Sequence, residues 1–244
     1  MKVPIYFVSD VHFKISKSTK EINRRKKMYE LFSKIKLTGG TLIIGGDFFD
    51  FWFDYNNFVP DEYKDIFIEL KNLYNSGIKI HYFAGNHDYW DFGYFKKKFG
   101  GEFYIGDYDF QINNNNIKVT HGDGLLKNDS GYRLLKKILR NKINIFLFKL
   151  IPPKIGYKTA KIVSNTSRHY NHDNNLSKKI KSELISWRKL DCNNNYDIIL
   201  IGHYHQNGIY NINGKSIIFM GDWISQFTVT KYDGKDWYQY SWNT

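Results

Sequence analysis

The sequence predicts an α/β sandwich of mixed sheets with a helical insertion. Five short apolar runs are each followed by a cluster of Gly, Asp, Asn or His. Runs of that length fit buried strands, and open α/β sheets place ligands at the carboxyl ends of their strands. The tail differs: Gly208 to Tyr240 alternates β-rich segments with turns at Asn213-Gly214 and Asp233-Gly234, a pattern that reads as hairpins.

The first run, Val3 to Val8, stops at Ser9-Asp10. The opening MKVPIYFVSD is too short before its first acid to be a secretory signal and reads as this strand. The basic, polar stretch Lys14 to Lys36 is expected to be a loop and then a helix. A second strand, Thr41 to Gly45, ends at Gly46-Asp47. A helix follows from Asp61 to Asn75, with Ile66, Phe67, Leu70 and Leu73 at helical spacing and Asn75-Ser76-Gly77 as its stop. Three more strands follow: Ile78 to Phe83, ending at Gly85-Asn86-His87-Asp88; Ile117 to Thr120, ending at His121; and Asp197 to Ile201, ending at Gly202-His203. The stretch Leu125 to Leu190 is mostly helical in pattern and interrupts the strand alternation. The chain is read as one domain, residues 1–244, with a helical lid inserted at about 126–176.

The 244 residues are 42% hydrophobic, enough for a sizeable core. No window approaches the ~18 apolar residues of a membrane span. Cys192 is the only cysteine, so no intrachain disulfide can form and a reducing compartment is expected. The net charge of +12 suits an anionic partner, or reflects the abundance of Lys with Asn, Ile, Tyr and Phe. Its location is uneven. Between Lys127 and Lys161 stand ten basic residues and one acid, Asp129.

The strand-end residues are Asp10-Val11-His12, Gly46-Asp47, Gly85-Asn86-His87-Asp88, His121-Gly122-Asp123 and Gly202-His203-Tyr204-His205. Asp, Asn and His are donors for Mn²⁺, Fe²⁺ or Zn²⁺, and the absence of Cys donors argues against a structural zinc site. Asp-x-His and His-x-His at a strand end put both side chains on one face. Each fragment alone is weak. All five in order, each closing a strand, are specific.

That order resembles the calcineurin-like metallophosphoesterase pattern D-x-H, G-D-x-x-D, G-N-H-D, H-G-D, G-H-x-H, from Asp10 to His205. The resemblance implies a four-layer sandwich, mixed sheets flanked by helices, that binds two divalent metal ions, most commonly Mn²⁺. It implies one metal held by Asp10, His12, Asp47 and His205, and a second by Asp47, Asn86, His121 and His203. It also implies His87 as a general acid and Asp50 as the acid that orients it. Asp88 and Asp123 read as loop-holding residues, and His81 as a strand residue.

Two longer stretches narrow the resemblance. Gly46 to Trp52 fits G-D-x-F-[DE]-x-W, and His121 to Tyr132 fits H-G-D-x-L-x-x-x-D-x-x-Y. Both are similar to the branch of UDP-2,3-diacylglucosamine pyrophosphatases of lipid A biosynthesis. This implies release of UMP and 2,3-diacylglucosamine 1-phosphate at the inner face of the inner membrane. It also implies a glycolipid substrate touched by Asp129, Tyr132, Ser167 and Arg168, with Ser164 and Asn165 nearby. Asp129 also suits a helix N-cap. The best-known members carry Arg where this chain has His87, which equally fits a phosphomonoesterase or phosphodiesterase.

The insertion's first helix places Arg133, Lys136, Lys137 and Arg140 at i, i+3, i+4, i+7, with Leu135, Ile138, Leu139 and Phe146 as an apolar stripe. A basic amphipathic helix suits an anionic membrane surface. The alternative is an ordinary surface helix whose apolar stripe packs on the core. No nucleic acid is expected, because the basic residues are mixed with apolar ones and do not line an aromatic groove. A non-enzymatic scaffold would lack donors that are all present here.

Overall fold

A computed structural model describes residues 1–55, 58–159, 174–190 and 195–242. Two sheets carry the fold. The six-stranded sheet has the order β13-β12-β1-β2-β4-β6. Its members are β1 (Ile5–Val8), β2 (Thr41–Ile44), β4 (Lys79–Phe83), β6 (Glu102–Tyr104), β12 (Thr228–Tyr232) and β13 (Trp237–Ser241). The five-stranded sheet has the order β10-β11-β9-β8-β7. It is built from β7 (Tyr108–Ile112), β8 (Asn115–Thr120), β9 (Ile198–Ile201), β10 (Asn207–Ile212) and β11 (Lys215–Met220). The five strands expected before the tail are all present.

Both sheets are mixed. β1, β2, β4 and β6 run parallel, as do β8, β9 and β11. The hairpins β10-β11 and β12-β13 add antiparallel edges, as their turns predicted. Strand alternation divides the core. Ile5 and Phe7 of β1 and Ile43 of β2 pack against Val119, Leu200 and Ile218 of the other sheet. Tyr6, Val8, Leu42 and Ile44 face the opposite way, onto helices α1 (Thr19–Thr38), α2 (Lys64–Asn75) and α3 (Tyr94–Phe99). Ile199, Ile201, Ile217 and Phe219 face Leu184 and Ile180 of the helix α6 (Asn174–Arg188). Central strands buried on both sides read as unbroken apolar runs for this reason. The result is four layers: helices, sheet, sheet, helix.

α6 packs on the sheet, so it belongs to the crossover from β8 to the parallel β9 rather than to a lid. What stands apart is α4 (Ser130–Leu139) and α5 (Lys142–Lys149), neither of which has a buried residue. The helix expected over Asp61 to Asn75 begins as a 3₁₀ turn, Asp61–Tyr63, and continues as α2. A small parallel ribbon of β3 (Trp52–Phe53) and β5 (Asp88–Trp90) had no counterpart in the sequence reading.

Candidate metal centre

Six parallel strands, three from each sheet, end at one rim. Main-chain bonds stitch the first two loops together: Asp10 N donates to Gly46 O (3.1 Å), His12 N to Asp47 O (2.8 Å) and Phe13 N to Phe48 O (3.0 Å). The β3-β5 ribbon ties the second loop to the third through Trp52 N and His87 O (2.8 Å). Asp10, His12, Asp47, His203 and His205 all have left-handed backbone, with φ between 48° and 63°. That conformation is costly for residues with a Cβ and clusters at functional sites. Glycine is required where the loops approach most closely. A Cβ at Gly85 would stand 2.2 Å from Asp47 Oδ1, and one at Gly202 would stand 2.4 Å from Ser9 Oγ.

These loops bring the sequence-predicted donors into two adjoining groups. In the first, Asp10 Oδ1 lies 3.6 Å from His205 Nε2 and 4.0 Å from His12 Nε2. In the second, His121 Nε2 lies 3.2 Å from Asp47 Oδ2 and 3.1 Å from Asn86 Oδ1, which is 2.8 Å from His203 Nδ1. Asp47 joins them, with Oδ2 also 3.7 Å from His12 Nε2. Donors about 2.1 Å from a shared ion stand roughly 3–3.5 Å apart, so these separations fit divalent cations. Asp10 Oδ1 is buried with no hydrogen-bond partner. Such a group is costly unless a cation meets it.

The electrostatics divide the donors. Burial pushes the Asp10 carboxyl up, against the pull of His121 and His205. Burial also opposes ionisation of Asp47, but His121, His87 and His12 together hold it well below the usual carboxylate range. His121 rises to about 10, because Asp47 outweighs the cost of burial. Burial drives His203 down to about 3 and His12 well below its ordinary value. Neutral imidazoles are the form that binds metals, which burial favours at His12 and His203; against the cost of burial, Asp222 and Asp10 raise His205 as Asp47 raises His121.

The residues around the donors fix them. His121 Nδ1 is 2.9 Å from Gly45 O, which leaves Nε2 for the centre. Ser9 Oγ and His203 N both donate to Asp10 Oδ2, at 2.7 and 2.9 Å. Asp88 accepts from Asp47 N, Gly85 N and Tyr82 Oη, so it holds the loops as expected. Arg24, buried on α1, donates to the carbonyls of Val11, His12 and Trp223.

His87 shares a cluster with His12 and Asp47 and meets the His12 ring edge-on at 4.7 Å. Its main-chain N donates to Asp47 Oδ1 (2.7 Å), and its Nδ1 bonds the main-chain carbonyl of Asp50. The main-chain carbonyl of Asp50 is thus a partner of the His87 ring. His81 sits on β4 beside Tyr104, away from the rim.

α4 lies over the rim. Tyr132 Oη donates to Asp123 Oδ2 (2.5 Å), with its ring 6.1 Å from that of His203. Asp129 occupies the N-cap position of α4, but its side chain makes no capping bond. Three basic residues of α4 bond to the loops beneath it, while Arg133 and Lys137 stay exposed. Arg133 donates to Gly124 O and Leu126 O, Lys136 Nζ pairs with Asp123 Oδ2 at 2.6 Å, and Arg140 donates to Gly85 O. The apolar stripe stands in solvent instead of packing on the core, with Ile138 49% and Phe146 62% exposed, and Leu134 beside it is 61% exposed. Ser164, Asn165, Ser167, Arg168, His169 and His172 lie outside the described residues.

One site residue escaped the sequence reading. Asp222 follows β11, and its Oδ2 lies 3.6 Å from His205 Nδ1 while its Oδ1 accepts from the main chain of Ile224, Ser225 and Gln226. Burial opposes its ionisation, but His205 and those donors bring Asp222 down to about 2. Its signal was Gly221-Asp222 at a strand end, the same dipeptide as Gly46-Asp47.

A two-sheet sandwich with these donors at its rim defines a class, and residues 3–207 match the family described as calcineurin-like phosphoesterase. The chain belongs to that family. It is 24% identical to the UDP-2,3-diacylglucosamine hydrolase of Porphyromonas gingivalis, covering 96% of this chain and 95% of that one. It is 26% identical to the protein of that name from Haemophilus influenzae, covering 93% and 94%, and 25% identical to that of Neisseria meningitidis serogroup A, covering 95% of both.

Proposed function

We propose that this protein hydrolyses the pyrophosphate of UDP-2,3-diacylglucosamine to UMP and 2,3-diacylglucosamine 1-phosphate, a step of lipid A biosynthesis. The observation that carries it is a full set of metal donors at the rim of a chain whose curated relatives, matched nearly end to end, bear that name. Asp10, His12, Asp47 and His205 would hold one divalent cation, and Asp47, Asn86, His121 and His203 the other, with Mn²⁺ the expected ion and Fe²⁺ or Zn²⁺ the alternatives. Two such cations supply charge neutralisation for a phosphate and an activated water for attack on phosphorus.

The chain's own groups do the rest. Nδ1 of His87 is engaged by Asp50 O, so Nε2 is the nitrogen left to face a leaving group. Protonated, it offers a cation or a proton there. Tyr132 and Asp129 at the start of α4 border the rim and suit the sugar-phosphate side of the substrate, with Ser167 and Arg168 completing that set. Among the described residues no helix is long and apolar enough to cross a membrane. The exposed apolar side of α4 and α5 supports peripheral attachment to the anionic inner face of the inner membrane.

Hydrolysis by manganese-loaded protein in ¹⁸O water tests this reading. Labelled UMP with unlabelled lipid phosphate is the expected result. Turnover of aryl phosphate or phosphodiester alone would remove the lipid assignment and leave a general phosphoesterase, for which His87 is the supporting residue.

A further inference from the structure

Two cations of α4 reach the rim, and they are not equivalent. Lys136 is matched by Asp123 at 2.6 Å. Arg140 lies one turn further on, at the i+4 position of the same helix face. Its Nη2 donates to Gly85 O (2.8 Å) and Asp88 O (3.4 Å), the two carbonyls that bracket Asn86 and His87. Among the described residues no carboxylate pairs with it, and its other two guanidinium nitrogens make no hydrogen bond. The half-buried guanidinium is thus aimed by neutral acceptors and keeps its full charge.

We propose that Arg140 binds the second phosphate of a diphosphate substrate, the phosphate that departs. This rests on the pyrophosphatase reading above. The reacting phosphate belongs to the converging donors Asp47, Asn86, His121 and His203. Its neighbour lies one bridging oxygen away, and the loop of Asn86 and His87 is flanked there by Arg140. A departing phosphate needs permanent positive charge more than it needs a proton, and a guanidinium fork matches two phosphate oxygens. The lid then takes part in recognition as well as covering the site. A substrate with one phosphate has nothing to offer this residue.

The test compares full-length, manganese-loaded wild type, Arg140→Gln and Arg140→Lys on two substrates. UDP-2,3-diacylglucosamine has two phosphates, and bis(p-nitrophenyl) phosphate has one. For Arg140→Gln, kcat/KM on the diphosphate should fall roughly 10- to 100-fold, the loss of a charge-assisted contact. The loss on the diester should be smaller by about a factor of ten, and Arg140→Lys should recover part of the difference, since it keeps the charge without the fork. Equal losses on both substrates would overturn the proposal and make Arg140 a latch between α4 and the rim. Wild-type turnover of the diester alone would overturn the pyrophosphatase reading itself. Metal content measured on the same samples separates either result from a damaged centre.

Discussion

The rim and the lid solve opposite problems with the same secondary-structure grammar. At the rim, polar side chains are buried: Asp10, Asp47 and His121 are 3% exposed or less, with Asp10 and Asp47 held in left-handed backbone and the first loops joined by main-chain bonds. On the lid, large apolar side chains are exposed, among them Leu134, Ile138, Ile143, Phe146, Leu147 and Leu150. Buried polar groups require partners, and the rim supplies them except at Asp10 Oδ1. Exposed apolar surface requires a cover: Ile145 and Phe148 of α5 pack on Phe53, Tyr55 and Trp90, but these six side chains stand in solvent. The proposed function would complete both regions, with cations at the rim and a membrane surface against the exposed side of the lid.

The contrast is broken most severely at Asp47, the carboxylate common to both donor groups. Asp47→Ala should reduce turnover by on the order of 10⁴-fold, as for loss of a central catalytic group. Metal analysis should show fewer than two ions per chain. Retained activity with full metal would remove the centre as the seat of chemistry. Asp222→Asn is the next step down. It leaves the His205 side chain in place but weakens the carboxylate that orients it, and metal affinity should fall about 10- to 100-fold. Unaltered affinity by competition with a chelator would make Asp222 only a turn former.

The lid is probed by Leu134→Ser with Ile138→Ser. Each removes apolar surface worth roughly 1.5–3 kcal/mol when buried in another phase, so partition onto anionic vesicles should drop at least about tenfold while metal content holds. Equal partition of variant and wild type would end the membrane role. The smallest effect sharpens the comparison inside one residue type. Phe95 is fully buried and Phe146 is 62% exposed. Thermal or denaturant unfolding should show about 3–5 kcal/mol lost for Phe95→Ala, and less than about 0.5 kcal/mol for Phe146→Ala.

The sandwich could be read from the chain because its central strands are buried on both faces and its tail turns by Asn-Gly and Asp-Gly. The donors could be read because Asp, Asn and His closed those strands in order. Asp222 was harder, since its dipeptide follows a strand inside the hairpin tail. The β3-β5 ribbon was illegible because Trp52-Phe53 and Asp88-Trp90 are too short to show a period.

By itself the sequence determined which residues share a face or a strand end. The helical repeat puts Arg133, Lys136, Lys137 and Arg140 together, and Leu134, Leu135, Ile138 and Leu139 on another side. Only the tertiary structure decided which side turns inward. Arg133, Lys136 and Arg140 found carbonyls and a carboxylate on loops far away in sequence, at Gly124, Asp123 and Gly85. The reason is physical: periodicity is a property of a few neighbouring residues, whereas the partner of a charged side chain is supplied by whatever the fold brings beside it.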